Sequence, residues 1–166
     1  MSKSISAKLT SEVLELFSMY MEDNADKLIE DARRKGEQPS SPPLVPKTRS
    51  EDHQNGRVFY ANEDSGSGIT VFYLHGGAYF MDFALAHWKL INKLIKETDA
   101  QVIAAGYRRL PFATWREAFD LIVPLYKEYC ETHPDQKIIL MGDSAGGGLA
   151  AALAEQFKED GIRMPD

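Results

Sequence analysis

Residues 137–148 read KIILMGDSAGGG, and this stretch decides the fold. Lys137 to Met141 have the length and apolar make-up of a buried strand, and the small residues from Ala145 onward suit a closely packed helix closed by Gly161. Between them Gly142-Asp143-Ser144-Ala145-Gly146 fits G-x-S-x-G in the setting that gives the pattern meaning, a sharp strand-to-helix turn. Such a turn strains the serine backbone, so the residues two places to either side must be small. It lifts the Ser144 hydroxyl to the carboxyl edge of a sheet and aims the free N–H groups of a helix start at the same spot. A plain glycine-rich turn satisfies the same pattern. Phosphate-binding readings fit worse: Gly147 is followed by Gly148 rather than lysine, and Ser144 stands where a dinucleotide fingerprint needs its second glycine.

An earlier stretch, FYLHGGAYF at 72–80, has the same logic. Ile69 to His75 is a continuous β-branched and aromatic run of the kind buried on both faces of a sheet. At its end, His75-Gly76-Gly77-Ala78 lets backbone N–H groups point inward without side-chain obstruction, and such donors are what a tetrahedral oxyanion needs. Together the two stretches resemble the hormone-sensitive-lipase-like branch of the α/β-hydrolases, whose hallmarks are an HGGG or HGGA stretch and a GDSAGG nucleophile elbow. YRRLPFATWREAF at 107–119 is similar to that family's YRLAP segment. The resemblance implies that Ser144 is the nucleophile and that the amides of Gly76, Gly77 and Ala145 form the oxyanion hole. It makes His75 a brace for the glycine loop, and Asp143 a support of the elbow rather than the triad acid. The implied activity is hydrolysis of a small-molecule carboxylic ester, without cofactor or metal. Tyr79 and Phe80 beside the loop favour an uncharged acyl group of short to medium length.

Outward from these motifs, strands and helices alternate. Asn55-Gly56 predicts a hairpin turn within 50–61, and Gly66 to Gly68 a further turn. Ala84, Trp88, Ile91 and Ile95 share one face of a helix ending near Thr98, and QVIAAGY at 101–107 follows as a strand. Thr114 and Glu117 form a capping box for a helix carrying Phe119, Ile122, Leu125 and Tyr129, with Pro124 expected to kink it. This order predicts an α/β fold, a mainly parallel sheet with flanking helices. Residues 1–46 read as an amphipathic helix from Ser11 to Lys35 and a connector carrying Pro39, Pro42, Pro43 and Pro46. By the resemblance that helix is part of a cap over the acyl pocket, and residues 47–166 are the N-terminal part of an α/β-hydrolase core.

Composition narrows the function classes. A chain of 166 residues is one ordinary domain, able to bury roughly 70% of its unfolded surface. A formal charge of −6 gives no basic footprint for nucleic acid. Cys130 is the only cysteine, which excludes an intramolecular disulfide. The first residues lack the apolar core of a signal peptide and no run is long enough to span a membrane, so a cytoplasmic location is expected.

The triad order in this fold is serine, acid, histidine. All four histidines, His53, His75, His87 and His133, precede Ser144, and the later acids Glu155, Glu159 and Asp160 ride a helix leading away from it, with Asp166 at the end. Neither triad acid nor base is therefore expected in this chain, and the hydrolase core is expected to lack its C-terminal strands. His87 is the nearest substitute base, set against the simpler reading of an exposed helix histidine. The KIILM strand would then be an unpaired edge, which predicts self-association or a complex with the missing C-terminal part. The alternative to an ester hydrolase is a catalytically incomplete fragment acting as a binding or assembling module.

Overall fold

The computed structural model describes residues 19, 23–34, 36–37 and 45–166. The chain divides into two compact units, 1–38 and 39–166. In the first, residues 23–34 form a helix, α1, with Arg34 and Asp31 paired across one turn at 2.9 Å. The start of the expected helix at Ser11, and Pro39, Pro42 and Pro43 of the connector, lie outside the described residues.

The second unit runs β1 (Thr48–His53), β2 (Gly56–Ala61), β3 (Ile69–Leu74), α2 (Leu85–Thr98), β4 (Gln101–Tyr107), α3 (Trp115–Thr132), β5 (Lys137–Gly142) and α4 (Ala145–Glu159). Its sheet has the order β1-β2-β4-β3-β5. β1 pairs antiparallel with β2 and β2 with β4, whereas β3 runs parallel to both β4 and β5. The sheet is thus mixed rather than mainly parallel. Strands joined by a tight turn must reverse direction, and parallel strands need a long crossover, here supplied by a helix. The hairpin turn sits at 54–55, one residue earlier than Asn55-Gly56 suggests, because Gly56 already pairs with His53 and Tyr107.

Side-chain alternation splits the core into two layers. Phe72 and Leu74 of β3 and Ile103 and Ala105 of β4 face α3 and α4, meeting Leu121, Ile122, Leu149 and Phe157. Val71 and Tyr73, with Val102 and Ala104, face α2 and meet Trp88 and Ile91. Each large side chain so buried contributes roughly 1.5–3 kcal/mol relative to exposure. Tyr126 of α3 stacks on Phe157 of α4 at 4.1 Å, and Trp88 meets Phe59 edge-on at 5.1 Å. Ala84 is the N-cap of α2 rather than part of its apolar face, while Thr114 and Glu117 do form the capping box of α3, which contains Pro124.

The chain leaves β3 through α2 to reach β4 on one side. It leaves β4 through α3, on the opposite face, to reach β5 on the other side of β3. The direction of winding therefore changes at β3, and the crevice at such a change, beyond the carboxyl ends of the strands, is where sheets of this kind bind ligands. Both glycine motifs lie there. Among the described residues β5 pairs with β3 alone and forms one edge of the sheet, with Ile139 41% exposed. The N–H of Ile138 is held by Asp166 Oδ2 and its carbonyl by the Asp166 amide, each at 2.8 Å.

Candidate active site

Ser144 stands at the β5–α4 junction with φ 49° and ψ −121°. Left-handed backbone costs an L-residue roughly 1–2 kcal/mol, so its surroundings must enforce it. They do so by close backbone approach. A Cβ on Gly142 would collide with the Gly146 carbonyl, and one on Gly146 with the carbonyls of Leu74 and His75. Gly146 and Gly147 both donate to the Asp143 carbonyl, at 2.8 and 3.2 Å, closing the first turn of α4. The Ser144 side chain makes no capping bond, is exposed, and has no hydrogen-bond partner among the described residues.

The loop after β3 is left-handed over three residues, with φ 117° at Gly77, 54° at Ala78 and 58° at Tyr79. It folds back on itself through the amides of Phe80 and Met81, which donate to the Gly77 carbonyl at 3.0 and 2.8 Å. The Leu110 amide donates to the Tyr79 carbonyl at 2.9 Å, and Arg109 faces Asp82 at 3.5 Å, so the segment after β4 fastens the loop from outside.

Asp143 joins the two turns. Its Oδ1 accepts from the Tyr73 hydroxyl at 2.6 Å and from the Gly76 amide at 3.0 Å. Its Oδ2 faces His87 Nε2 at 3.4 Å. Partial burial works to raise the pKa of this carboxyl, but the Tyr73 phenol, the Gly76 amide and His87 together hold it below the ordinary aspartate value. Gly76 is glycine because a Cβ there would strike this carboxylate. The Gly76 amide, expected at the oxyanion, donates to Asp143 in this structure. Among the described residues, the amides of Gly77, Ala78 and Ala145 have no acceptor. Ala78 closes the His75-Gly76-Gly77-Ala78 stretch but was not among the individual amides expected from the sequence.

His75 is fully buried, stacked on Tyr107 at 4.4 Å and against Phe83 at 4.4 Å. Its Nδ1–H donates to the Gly76 carbonyl at 2.7 Å, and the Tyr107 hydroxyl donates to the His75 carbonyl at 2.6 Å. Burial pushes the imidazole down to about 4, so it is neutral at physiological pH. His87 is not the exposed helix histidine envisaged: its side chain is 14% exposed, and Nδ1 accepts the Ala84 amide at 2.8 Å while Nε2 faces Asp143. With both nitrogens engaged it offers no lone pair to Ser144. His133 stacks on Tyr129 at 4.1 Å, and His53 ends β1 near Glu51 at 3.9 Å.

Beside the elbow, a cleft of about 540 Å³ lies between α3 and α4, walled by Tyr79, Leu110, Trp115, Phe119, Leu149 and Ala152. One of its walls, Tyr79, reaches the elbow, where its hydroxyl donates to the Ala145 carbonyl at 3.1 Å. No group of three or more His, Cys, Asp or Glu among the described residues is arranged to hold a metal ion. No helix among them is long and apolar enough to cross a membrane.

Comparison with known proteins agrees with this architecture. Residues 71–166 match the family model described as alpha/beta hydrolase fold. The chain is 35% identical over 99 residues to an acetyl-hydrolase of Streptomyces hygroscopicus, covering 59% of this chain and 33% of that protein. It is 39% identical over 98 residues to the esterase LipU of Mycobacterium tuberculosis, covering 58% of this chain and 33% of that protein. Among solved structures it superposes on the hormone-sensitive-lipase homologue EstE7 from a metagenome library with a TM-score of 0.63 at 27% identity, covering 93% of this chain and 53% of that one. A hormone-sensitive lipase from a metagenome library gives a TM-score of 0.62 at 27% identity, covering 87% and 54%. The chain thus spans about a third of the length of these two sequence relatives and about half of each of these structures. With an elbow and a glycine loop meeting at the carboxyl ends of β3 and β5, and more than half its length matching the family model, the chain belongs to the α/β-hydrolase family, in its hormone-sensitive-lipase-like branch.

Proposed function

We propose that this chain supplies the nucleophile and the oxyanion donors of a serine carboxylic ester hydrolase acting on uncharged acyl groups of short to medium length. The observation that carries this reading is the strained, exposed Ser144, with an unengaged hydroxyl, at a junction where the amides of Gly77, Ala78 and Ala145 are free. Ser144 Oγ attacks the ester carbonyl, the carbonyl oxygen becomes an oxyanion that accepts from these amides, and loss of the alcohol leaves an acyl-serine for water to hydrolyse. The apolar cleft beside Tyr79 suits a hydrocarbon acyl chain, and its volume lies within the usual range of small-molecule sites.

The proton of Ser144 needs an acceptor, and none of the four histidines of the chain is hydrogen-bonded to its hydroxyl. In this reading the acid and base come from polypeptide outside these 166 residues, brought alongside the outer edge of β5 beyond Ile138 by strand pairing. A site with its oxyanion donors but without a base acylates slowly from an activated ester and deacylates more slowly still. Incubation with p-nitrophenyl butyrate is therefore expected to leave a butyryl mass increment on Ser144, read by intact mass and peptide mapping, and none in Ser144→Ala. Absence of the increment from both proteins would overturn the catalytic reading and favour a binding or assembling module.

A further inference from the structure

We infer that His87 is a positioning residue for the oxyanion loop, acting through Asp143 from the start of α2. The inference rests on the ester-hydrolase reading above, in which the Gly77 and Ala78 amides must hold one orientation.

The two ring nitrogens do different work. Alanine has no side-chain acceptor, so the N-cap of α2 cannot form the outgoing half of a capping box; only the returning half exists, in which His87 Nδ1 accepts the Ala84 amide at 2.8 Å. An acceptor at Nδ1 places the proton of the neutral ring on Nε2, and Nε2 is the atom that faces Asp143 Oδ2 at 3.4 Å. The helix start thereby selects the tautomer that can donate to the carboxylate.

The carboxylate is the hinge of the arrangement. Oδ1 alone carries the Tyr73 hydroxyl and the Gly76 amide, at 2.6 and 3.0 Å. The Asp143 side chain is 40% exposed, so packing alone does not fix its rotation, and His87 is the partner that holds Oδ2. Rotation of the carboxylate would release the Gly76 amide, and Gly76 directly precedes the left-handed residues whose free amides the proposed chemistry uses. The His87 ring itself packs in a T-shaped arrangement with the Phe83 ring at 5.9 Å. A rigid helix end is thus coupled to the loop through one carboxylate, which is how supporting residues keep reactive groups aligned.

Two substitutions separate capping from positioning. His87→Asn keeps an acceptor near the Nδ1 position and loses the reach to Asp143; His87→Gln places an amide N–H near the Nε2 position and loses the cap. Hydrogen exchange at the Gly76 amide reads loop anchoring without any need for activity, and the butyrylation rate of Ser144 reads its consequence. In His87→Asn, Gly76 exchange should accelerate about tenfold and butyrylation slow by about the same factor, the equivalent of one ordinary hydrogen bond. In His87→Gln both should stay within about twofold of the unsubstituted protein, with the lost cap appearing as a lower urea midpoint. Unchanged Gly76 exchange in a folded His87→Asn protein would overturn the inference, whether or not Ser144 acylates. Absent acylation with accelerated exchange would leave His87 in place and remove the ester-hydrolase reading instead.

Discussion

The elbow at 142–148 and the glycine loop at 75–81 follow neighbouring parallel strands and are held by different means. The elbow is fixed by backbone against backbone: Gly142 on the Gly146 carbonyl, and Gly146 on the carbonyls of Leu74 and His75. The loop adds side chains to its own backbone bonds, with Asp143 on the Gly76 amide, His75 on the Gly76 carbonyl and Tyr107 on the His75 carbonyl. Backbone contact tolerates no added atom and is insensitive to pH. Side-chain contact admits some adjustment and carries titratable groups. The elbow should therefore fail sterically and the loop should fail with acid.

The largest expected effect is at Gly146. A methyl group there overlaps two carbonyls of β3 and its continuation, neither of which can move without breaking the sheet. Gly146→Ala should cost more than about 4 kcal/mol, beyond the usual range for overpacking because the obstacle is backbone rather than a mobile side chain. Urea denaturation followed by circular dichroism should show either no folded protein or a sharply lowered midpoint. A midpoint within experimental error of the parent protein would refute the steric account of the elbow.

The loop should show its weakness as acid sensitivity centred on His75. Burial lowers its pKa from the ordinary 6.5 to about 4. Between those values the unfolded chain binds a proton that the folded protein refuses, so stability rises with pH across the window and is lost as pH falls from about 6.5 to about 4. The integrated loss is of the order of 3 kcal/mol. Asp143 adds a separate, lower window: its depressed pKa contributes stability above the ordinary aspartate value that is lost on further acidification. Urea midpoints measured from pH 7 to pH 4 should fall for the parent protein and lie nearly flat over that range in His75→Asn, which lacks the titrating ring. Parallel slopes in the two proteins would place the acid sensitivity elsewhere.

The contrast also explains what the sequence disclosed. G-D-S-A-G was legible because steric demand writes itself locally: a sharp strand-to-helix turn requires small residues two places to either side of Ser144. The layered core was legible for the same reason, since Val71 and Tyr73 alternate with Phe72 and Leu74 along one short strand. The anchoring of the loop was not. That the Gly76 amide is taken by Asp143 depends on β5 lying next to β3, a crossover over a strand already in place, and spacing along the chain says nothing of that order. His87 was misread for the same reason, because its partner is 56 positions later (143 − 87) and becomes a neighbour only through the same strand order. The antiparallel half of the sheet was foreshadowed by its hairpin, yet the pairing of β2 with β4 joins strands whose starts lie 45 residues apart (101 − 56), beyond any local signal.

The smallest expected effect sharpens the comparison most, because it uses a glycine from the same run as Gly146. Gly148 sits one turn into α4 and is exposed, and a Cβ on it would meet nothing within 4 Å. No positive φ is recorded for it, so alanine adopts its conformation without strain. The glycine there brings only the conformational freedom that folding must remove. Gly148→Ala should therefore stabilise the protein by roughly 0.5–1 kcal/mol, the helix-propensity difference between the two residues. The urea midpoint should rise at an unchanged slope, and the butyrylation rate of Ser144 should not change. A destabilised Gly148→Ala protein would show that the crowding around the elbow extends a full turn into α4, and that the boundary drawn between glycines needed for close approach and those merely tolerated lies in the wrong place.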